Sequence, residues 1–245
     1  SFHLHDVKQR SFFVPAARRN SHPTSDDPVN DSARMRGSAT SADAALPASG
    51  RTDNASAGVP ASRSTSAKSI AALGVLEAGF TTIRDLGTEG AGYADAGLKQ
   101  AVIQGIIPGP RLLVTTRAIV ATGTYAPKGF SPAWAVPQGA EEADGNALIR
   151  VVRDQAGKGA DWIKVYGDYR AGPRGEATPT FSLDEMRLIV DTAKSLNRPV
   201  VVHASTPEGM RRAVLAGAAT IEHGDGGTAE IFNLMAERGV ALCPT

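Results

Sequence analysis

The pattern of hydrophobic and polar positions changes near residue 70. Residues 15–69 are rich in Ser, Ala, Arg, Asn, Asp and Pro, and they contain four apolar side chains other than alanine. Such a segment buries too little apolar surface to offset the entropy lost on ordering. We therefore predict a disordered or irregular segment over residues 1–69 and an ordered domain over residues 70–245.

From about residue 70, short apolar runs alternate with amphipathic stretches. The runs are rich in β-branched residues and bounded by Gly, Pro or Asp, which is typical of strands buried on both faces. In chain order, they are FTTIRDLG, RLLVTTRAIV, DWIKVYGD, PVVVHAS, ATIEHGD and VALCPT. We interpret each run as one strand.

The stretches between the runs have helical spacing and carry helix end signals. Ser182 and Glu185 have the spacing of a capping box. Thr206 and Pro207 suit the N-cap and the first helical position, and Gly239 suits a helix end. The repeated order of strand and helix predicts a parallel sheet with right-handed crossovers. Periodicity alone fits both a (β/α) barrel and a doubly wound sheet.

Composition excludes several classes of protein. The formal net charge is +1, which gives no strong field to attract nucleic acid or an acidic membrane surface. The single cysteine, Cys243, excludes a disulfide within the chain and a cysteine metal cluster. The start lacks the apolar core of a signal peptide, and no run approaches the roughly 20 residues of a membrane span. We expect a cytoplasmic protein without nucleic-acid or membrane partners; homo-oligomerisation is left open.

Three side chains that suit a metal site lie on successive predicted strands. Lys164 sits inside the apolar run WIKVY, while His203 and His223 end the next two strands. In either parallel architecture, the carboxyl ends of the strands gather at one edge, where chemistry is located. Lys164, His203 and His223 are therefore expected to converge.

Neutral imidazole is a good ligand for zinc and similar ions. Burial disfavours a charged amine, so the pKa of a buried lysine falls, and the neutral amine can react with carbon dioxide to form a carbamate. That group has two oxygens and could bridge two metal ions. The alternative is a lysine that reaches solvent or pairs with Asp161 or Asp168. The presence of His203 and His223 favours the metal site.

Several long motifs resemble one family. They are LEAGFTTIRDLGTEGAGYADAGLKQAVIQGIIPGPRLLV, ADWIKVYGDY, VVVHASTPEGMRRAVLAGAATIEHGD and MAERGVALCPT. Together they resemble the metal-dependent amidohydrolase superfamily, in its imidazolonepropionase-like and prolidase-like branch. The resemblance implies a TIM-type (β/α)8 barrel, a carboxylated lysine that bridges two divalent metals, usually zinc, and two histidines that bind one of them. Those roles fall on Lys164, His203 and His223.

Two parts of the family pattern are not recognised. Strands two to seven can be identified, whereas the first and eighth cannot. The first strand of the family ends in His-x-His; His3 and His5 form HLH, but about 70 residues separate them from the second strand, a longer gap than in the family. The family's metal-binding aspartate on strand eight is also not found. We therefore expect an incomplete barrel that is a weak or inactive hydrolase as it stands.

Four further side chains near the strand ends are candidates for binding substrate. Tyr166, Tyr169 and Arg170 closely follow Lys164, and Tyr125 lies in a Gly/Pro-rich loop after the third strand. Such groups can bind a carboxylate or polarise a carbonyl. The resemblance implies hydrolysis of amide or peptide C–N bonds in dipeptides or N-acyl amino acids. A cyclic-amide or organophosphate hydrolase on the same scaffold, or a fragment without turnover, is the alternative.

Overall fold

The structure is a computed structural model that describes residues 71–131 and 133–244. The irregular segment predicted over residues 1–69, together with His3 and His5, lies outside the described residues. None of the helices in the described ranges is long and apolar enough to cross a membrane.

Strands and helices alternate along the described chain, as the sequence predicts. The helices are residues 71–77 (α1), Ala94–Ile103 (α2), Ala147–Gly157 (α3), Leu183–Ser195 (α4), Pro207–Ala216 (α5) and Ala229–Arg238 (α6). The strands are Thr82–Asp85 (β1), Arg111–Val114 (β2), Ile119–Val120 (β3), Glu141–Glu142 (β4), Ile163–Tyr166 (β5), Asp168–Tyr169 (β6), Thr178–Pro179 (β7), Val200–Ala204 (β8), Thr220–His223 (β9) and Ala241–Cys243 (β10).

The main sheet is parallel throughout. Its strands lie in the order β10–β9–β8–β5–β3–β4, and β1 pairs in parallel with β2. The backbone N–H groups of Asp161 and Trp162, just before β5, donate to the carbonyl of Val114 at the end of β2. These bonds join the two sheets into one arc.

An ion pair inside the arc distinguishes a barrel from an open sheet. Arg84 of β1 contacts Glu222 of β9, with Nη2 and Oε1 2.8 Å apart. Four strand spacings of about 4.8 Å separate these strands, which is roughly 19 Å in a flat sheet. The contact requires the sheet to curl, so the described residues form part of a (β/α) barrel. The predicted incomplete TIM-type barrel is confirmed.

The helix end signals act as predicted. Ser182 and Glu185 make both bonds of the capping box that opens α4. The Thr206 hydroxyl accepts the N–H of Gly209, and Pro207 occupies the first turn of α5. Gly239 ends α6 with φ +67°, a conformation that glycine adopts without steric cost.

One predicted strand is broken in two. RLLVTTRAIV forms β2 and β3, because the backbone turns at Thr116, which has φ +62°. The buried Asp95 carboxylate holds this turn by accepting the Thr116 N–H at 2.7 Å. A short antiparallel hairpin of β6 and β7, which the apolar pattern does not indicate, follows β5.

The core lies between the outer face of the sheet and helices α3 to α6. It is built from aliphatic residues of β5 and β8 packed against apolar helix positions such as Leu148, Met186, Ile189 and Met210, all fully buried. Each such side chain contributes about 1.5–3 kcal/mol through burial. This packing leaves the inner face of the strands free to carry polar groups.

Candidate active site

Lys164, Tyr166 and His203 share the inner face of the barrel. In the parallel register of β5 and β8, Lys164 lies opposite Val201 and Tyr166 lies opposite His203. The Lys164 Nζ atom is 5.1 Å from the centroid of the Tyr166 ring, and the Tyr166 and His203 ring centroids are 4.7 Å apart. Lys164 therefore points into the barrel, towards the histidine of the next strand.

His223 reaches the same place by a different route. Strand alternation would put His223 on the outer face, because Glu222 before it faces inward to Arg84. His223 instead has φ +73°, which turns the chain at the end of β9. Its ring lies edge-on to that of His203, with centroids 4.6 Å apart. The structure thus brings Lys164, His203 and His223 together.

Burial controls the charge of Lys164. Desolvation lowers the pKa of its ammonium group from 10.5 to about 8, against the opposing attraction of the Glu222 carboxylate. The ion pairs that would hold a charged amine are formed elsewhere. Asp161 pairs with Lys99 at 2.6 Å, and Asp168 binds the loop after β8. With this pKa, about one tenth of Lys164 is neutral at pH 7, far more than for a solvated lysine.

His203 is a neutral imidazole in this environment. Burial lowers its pKa from 6.5 to about 3, and the positive charges of Lys164 and His223 act in the same direction. Its Nδ1 atom is buried and has no hydrogen-bond partner within the described ranges. Its Nε2 atom lies 3.7 Å from Asp168 Oδ1, too far for a hydrogen bond. Nδ1 is thus a buried ring nitrogen available to a further group.

Asp168 organises the wall beside His203. This buried carboxylate accepts the backbone N–H groups of Ser205 and Thr206 and the Thr206 hydroxyl, at 2.7 to 2.9 Å from Oδ2. A Cβ atom at Gly209 would lie 2.5 Å from the same oxygen. Asp168 therefore joins β6 to the start of α5 and fixes the loop that follows His203.

A pair of charged residues inside the barrel, Arg84 and Glu222, was not predicted from the sequence. Arg84 donates to Glu222 and, at 3.2 Å, to the Thr220 hydroxyl, which itself donates to Glu222. The Arg84 guanidinium also stacks on the Trp162 ring at 4.9 Å. The signal was available, since Arg84 and Glu222, like Lys164, are charged residues within apolar runs.

Three of the predicted substrate-binding residues form an aromatic wall next to the histidines. The ring of Tyr125 lies 5.2 Å from that of Tyr166 and 5.0 Å from that of Tyr169. The Tyr125 hydroxyl donates to Glu89 at 2.7 Å. Arg170 is exposed, directly after β6. The structure thus places the three tyrosines together and Arg170 at their edge.

The three side chains that meet at this site are two imidazoles and one lysine. No group of three or more His, Cys, Asp or Glu side chains that could hold a metal ion occurs in residues 71–131 and 133–244. A neutral lysine can supply the missing oxygen ligands only after reaction with carbon dioxide. The chemistry of this site therefore depends on the state of Lys164.

Comparisons with known proteins agree on one family. The sequence profile described as "Amidohydrolase family" matches residues 34–245. An uncharacterised protein of Mycobacterium tuberculosis (strain ATCC 25618 / H37Rv) is 34% identical over 119 residues, which cover 49% of this chain and 31% of that protein. Ochratoxinase of Aspergillus niger is 28% identical over 193 residues, 69% of this chain and 38% of the enzyme.

A solved structure gives the same result for the fold. The crystal structure of a Xaa-Pro dipeptidase with bound methionine in its active site superimposes with a TM-score of 0.67 and 30% identity, over 77% of this chain and 48% of the dipeptidase. The chain thus spans less than half the length of each of these three proteins.

Proposed function

The chain belongs to the amidohydrolase family, and from this we propose that its site hydrolyses the amide or peptide C–N bond of dipeptides or N-acyl amino acids. The observation that carries the proposal is a buried lysine of lowered pKa next to two imidazoles at one end of a parallel barrel. The similarity to a Xaa-Pro dipeptidase and to ochratoxinase supports this class of substrate.

The residues present fit a divalent metal ion. His203 offers a buried, unpartnered Nδ1 atom, and its lowered pKa keeps the ring neutral above about pH 4, so in the tautomer with the proton on Nε2 the Nδ1 lone pair would bind the ion. Lys164, as a carbamate, would add a negative charge and two oxygens, and His223 would supply a second imidazole. When bound, such an ion lowers the pKa of a water molecule and polarises the scissile carbonyl.

The remaining residues would position the substrate and keep the site dry. The Tyr166 ring covers His203, and burial raises the pKa of its hydroxyl, so the hydroxyl stays protonated and can donate to a substrate oxygen. Tyr125 and Tyr169 extend this wall, and Arg170 at the edge suits a substrate carboxylate. The Arg84–Glu222 pair fills the barrel beside the site, since Glu222 lies opposite His203 in the register of β8 and β9.

The test begins with purification of the full chain in the presence of zinc and bicarbonate. Bound metal is counted, and hydrolysis of a panel of dipeptides and N-acyl amino acids is measured. A carbamate on Lys164 is detected by 13C NMR after exposure to 13C-labelled bicarbonate. We expect Lys164→Met to abolish the carbamate signal and to reduce bound metal and turnover together.

The matched control is Lys158→Met, which changes the exposed lysine directly after α3. This variant should retain the carbamate signal, the metal and the activity of the parent chain. Unchanged metal content and turnover in Lys164→Met would overturn the assignment of Lys164 as a ligand. Absence of metal-dependent hydrolysis in the parent chain would refute the proposed activity.

A further inference from the structure

A carboxylate stands at the mouth of the site and has no role in the function proposed above. Glu89 lies in the loop between β1 and α2 and is exposed. The Tyr125 hydroxyl donates to its Oε2 atom at 2.7 Å, and the Tyr125 ring lies 5.2 Å from that of Tyr166, which covers His203. An unbroken series of contacts thus leads from Glu89 to the proposed metal ligands.

The backbone of Glu89 is held in a restricted position. Its φ of +48° lies in the left-handed region, which side chains other than glycine, Asn, Asp and His seldom occupy. Gly139 packs directly against this turn, since a Cβ atom there would lie 2.9 Å from Gly90 N and 3.0 Å from Glu89 C. A costly conformation kept by close packing is typical of functional positions.

The three tyrosine rings suit the same kind of ligand as the carboxylate. Tyr125, Tyr166 and Tyr169 lie with ring centroids 5.0 to 5.6 Å apart, so their faces form a wall beside Glu89. Aromatic faces attract cations, and a carboxylate at the edge of such a wall adds a direct ion pair.

We propose that Glu89, held by Tyr125, is a specificity-determining residue that binds a positively charged group of the substrate. The ligand class is a primary ammonium, either the free α-amino group of an unblocked dipeptide or a lysine side chain. The inference rests on the proposed function, because it assigns this subsite to the same substrate. An ammonium-binding subsite at Glu89 would favour unblocked dipeptides over N-acyl amino acids, two classes of substrate that the metal ligands alone do not distinguish.

The experiment compares three probes by isothermal titration calorimetry on the metal-free full chain at pH 7, so that the proposed hydrolysis does not consume them. The probes are leucyl-alanine, N-acetyl-leucyl-alanine and N-acetyl-lysyl-alanine. We expect the parent chain to bind at least one of the two probes that carry an ammonium group about fivefold more tightly than N-acetyl-leucyl-alanine, which carries none; this is the size of a favourable partly exposed ion pair. Which of the two is preferred identifies the source of the ammonium group.

Glu89→Gln should remove that preference and leave the affinity for N-acetyl-leucyl-alanine unchanged. Tyr125→Phe removes the hydrogen bond but keeps the carboxylate, so it should reduce the preference only in part. The matched control is Glu142→Gln, an exposed carboxylate that accepts the Gly123 N–H at 2.9 Å on the same side of the barrel. It should retain the full preference, and urea unfolding checks that all variants are folded.

Equal affinity of the parent chain for all three probes, or no measurable binding, overturns the subsite. So does a preference that survives Glu89→Gln or that Glu142→Gln removes equally. The proposed function fails separately: a chain that discriminates between the probes but hydrolyses none of them retains the subsite and loses the activity. A preference that weakens as salt is added, through screening of the partly exposed charge, supports the ion pair.

Discussion

Two regions of the molecule contain a carboxylate–arginine pair at nearly the same distance, but in opposite surroundings. Inside the barrel, Arg84 and Glu222 are 2.8 Å apart, with side chains 5% and 1% exposed. On the surface of α5, Arg211 and Glu208 are 2.6 Å apart, with side chains 42% and 40% exposed. Distance does not separate the pairs, whereas access to water does.

Access to water determines how much each ion pair contributes to the stability of the fold. Water and salt can replace either partner of the surface pair, so its net stabilisation is small. Inside the barrel neither charge can be solvated, and each depends on the other for compensation. Charges on the inner face of the sheet therefore constrain the structure far more than the larger number on the helices.

The largest effect should come from breaking the inner pair. Glu222→Leu leaves the Arg84 charge buried beside Thr220 and without a carboxylate, which should lower the free energy of unfolding by about 3–5 kcal/mol. Urea unfolding of the metal-free chain, followed by circular dichroism, measures the change.

The double variant Arg84→Met with Glu222→Leu tests the cause. Removal of both charges should restore most of the lost stability, because no uncompensated ion remains. If the double variant is as unstable as Glu222→Leu, the loss comes from packing rather than from charge.

The pH dependence of stability should reveal the buried Lys164. Its folded-state pKa of about 8 lies below its unfolded value of 10.5, so between these values the unfolded chain holds a proton that the folded chain lacks. Stability should therefore rise with pH across this window, by about 3 kcal/mol in total. Lys164→Met should abolish the rise.

The free energy of unfolding is measured by urea unfolding of metal-free, bicarbonate-free protein between pH 7 and 10.5. At each pH, the value for Lys164→Met is subtracted from that for the parent. Lys158→Met, at the exposed position directly after α3, serves as the control and should keep the slope of the parent. If the free energies of unfolding of the parent and Lys164→Met differ by the same amount at every pH in this window, Lys164 is solvated.

A smaller effect is expected from the carboxylate beside His203. Asp168→Asn removes the negative charge that accepts the backbone N–H groups of Ser205 and Thr206. It should lower the free energy of unfolding by about 2 kcal/mol, the value of a hydrogen bond to a charged group. Urea unfolding provides the measurement. Asp154→Asn, in an exposed helix pair with Lys158, should change stability less; an equal change in both variants would argue against a special role for Asp168.

The smallest effect should be that of the surface pair itself. Glu208→Gln removes the charge that both Arg211 and Arg212 contact. Exposed ion pairs in general stabilise the folded state by about 0 to 1 kcal/mol. The urea midpoint of Glu208→Gln should therefore stay close to that of the parent chain. A loss comparable to that of Glu222→Leu would show that burial does not explain the contrast.

Local signals in the sequence were sufficient for the helices. The capping box of Ser182 and Glu185, the Thr206–Pro207 start and the Gly239 end each depend on residues within one turn, and each forms as predicted. The parallel order of the strands followed from their alternation with these helices.

Features that depend on distant residues could not be predicted in the same way. The break between β2 and β3 depends on Asp95, which lies on a different element from Thr116. The partner of Glu222 is 138 residues away in the chain and becomes a neighbour only when the sheet curls. Lys164 was identified without any partner, because a lysine within an apolar run is unusual by itself.

The left-handed backbone of His223 has a consequence for how this protein can change over generations. The position needs a residue that tolerates φ +73° and also presents an imidazole to His203. Glycine meets the first demand and removes the ring, while β-branched residues meet neither. Asn and Asp also tolerate this conformation, so either can replace His223 without backbone strain but only with loss of the imidazole. Any substitution at this position should therefore remove the ring in one step, even where the fold is kept.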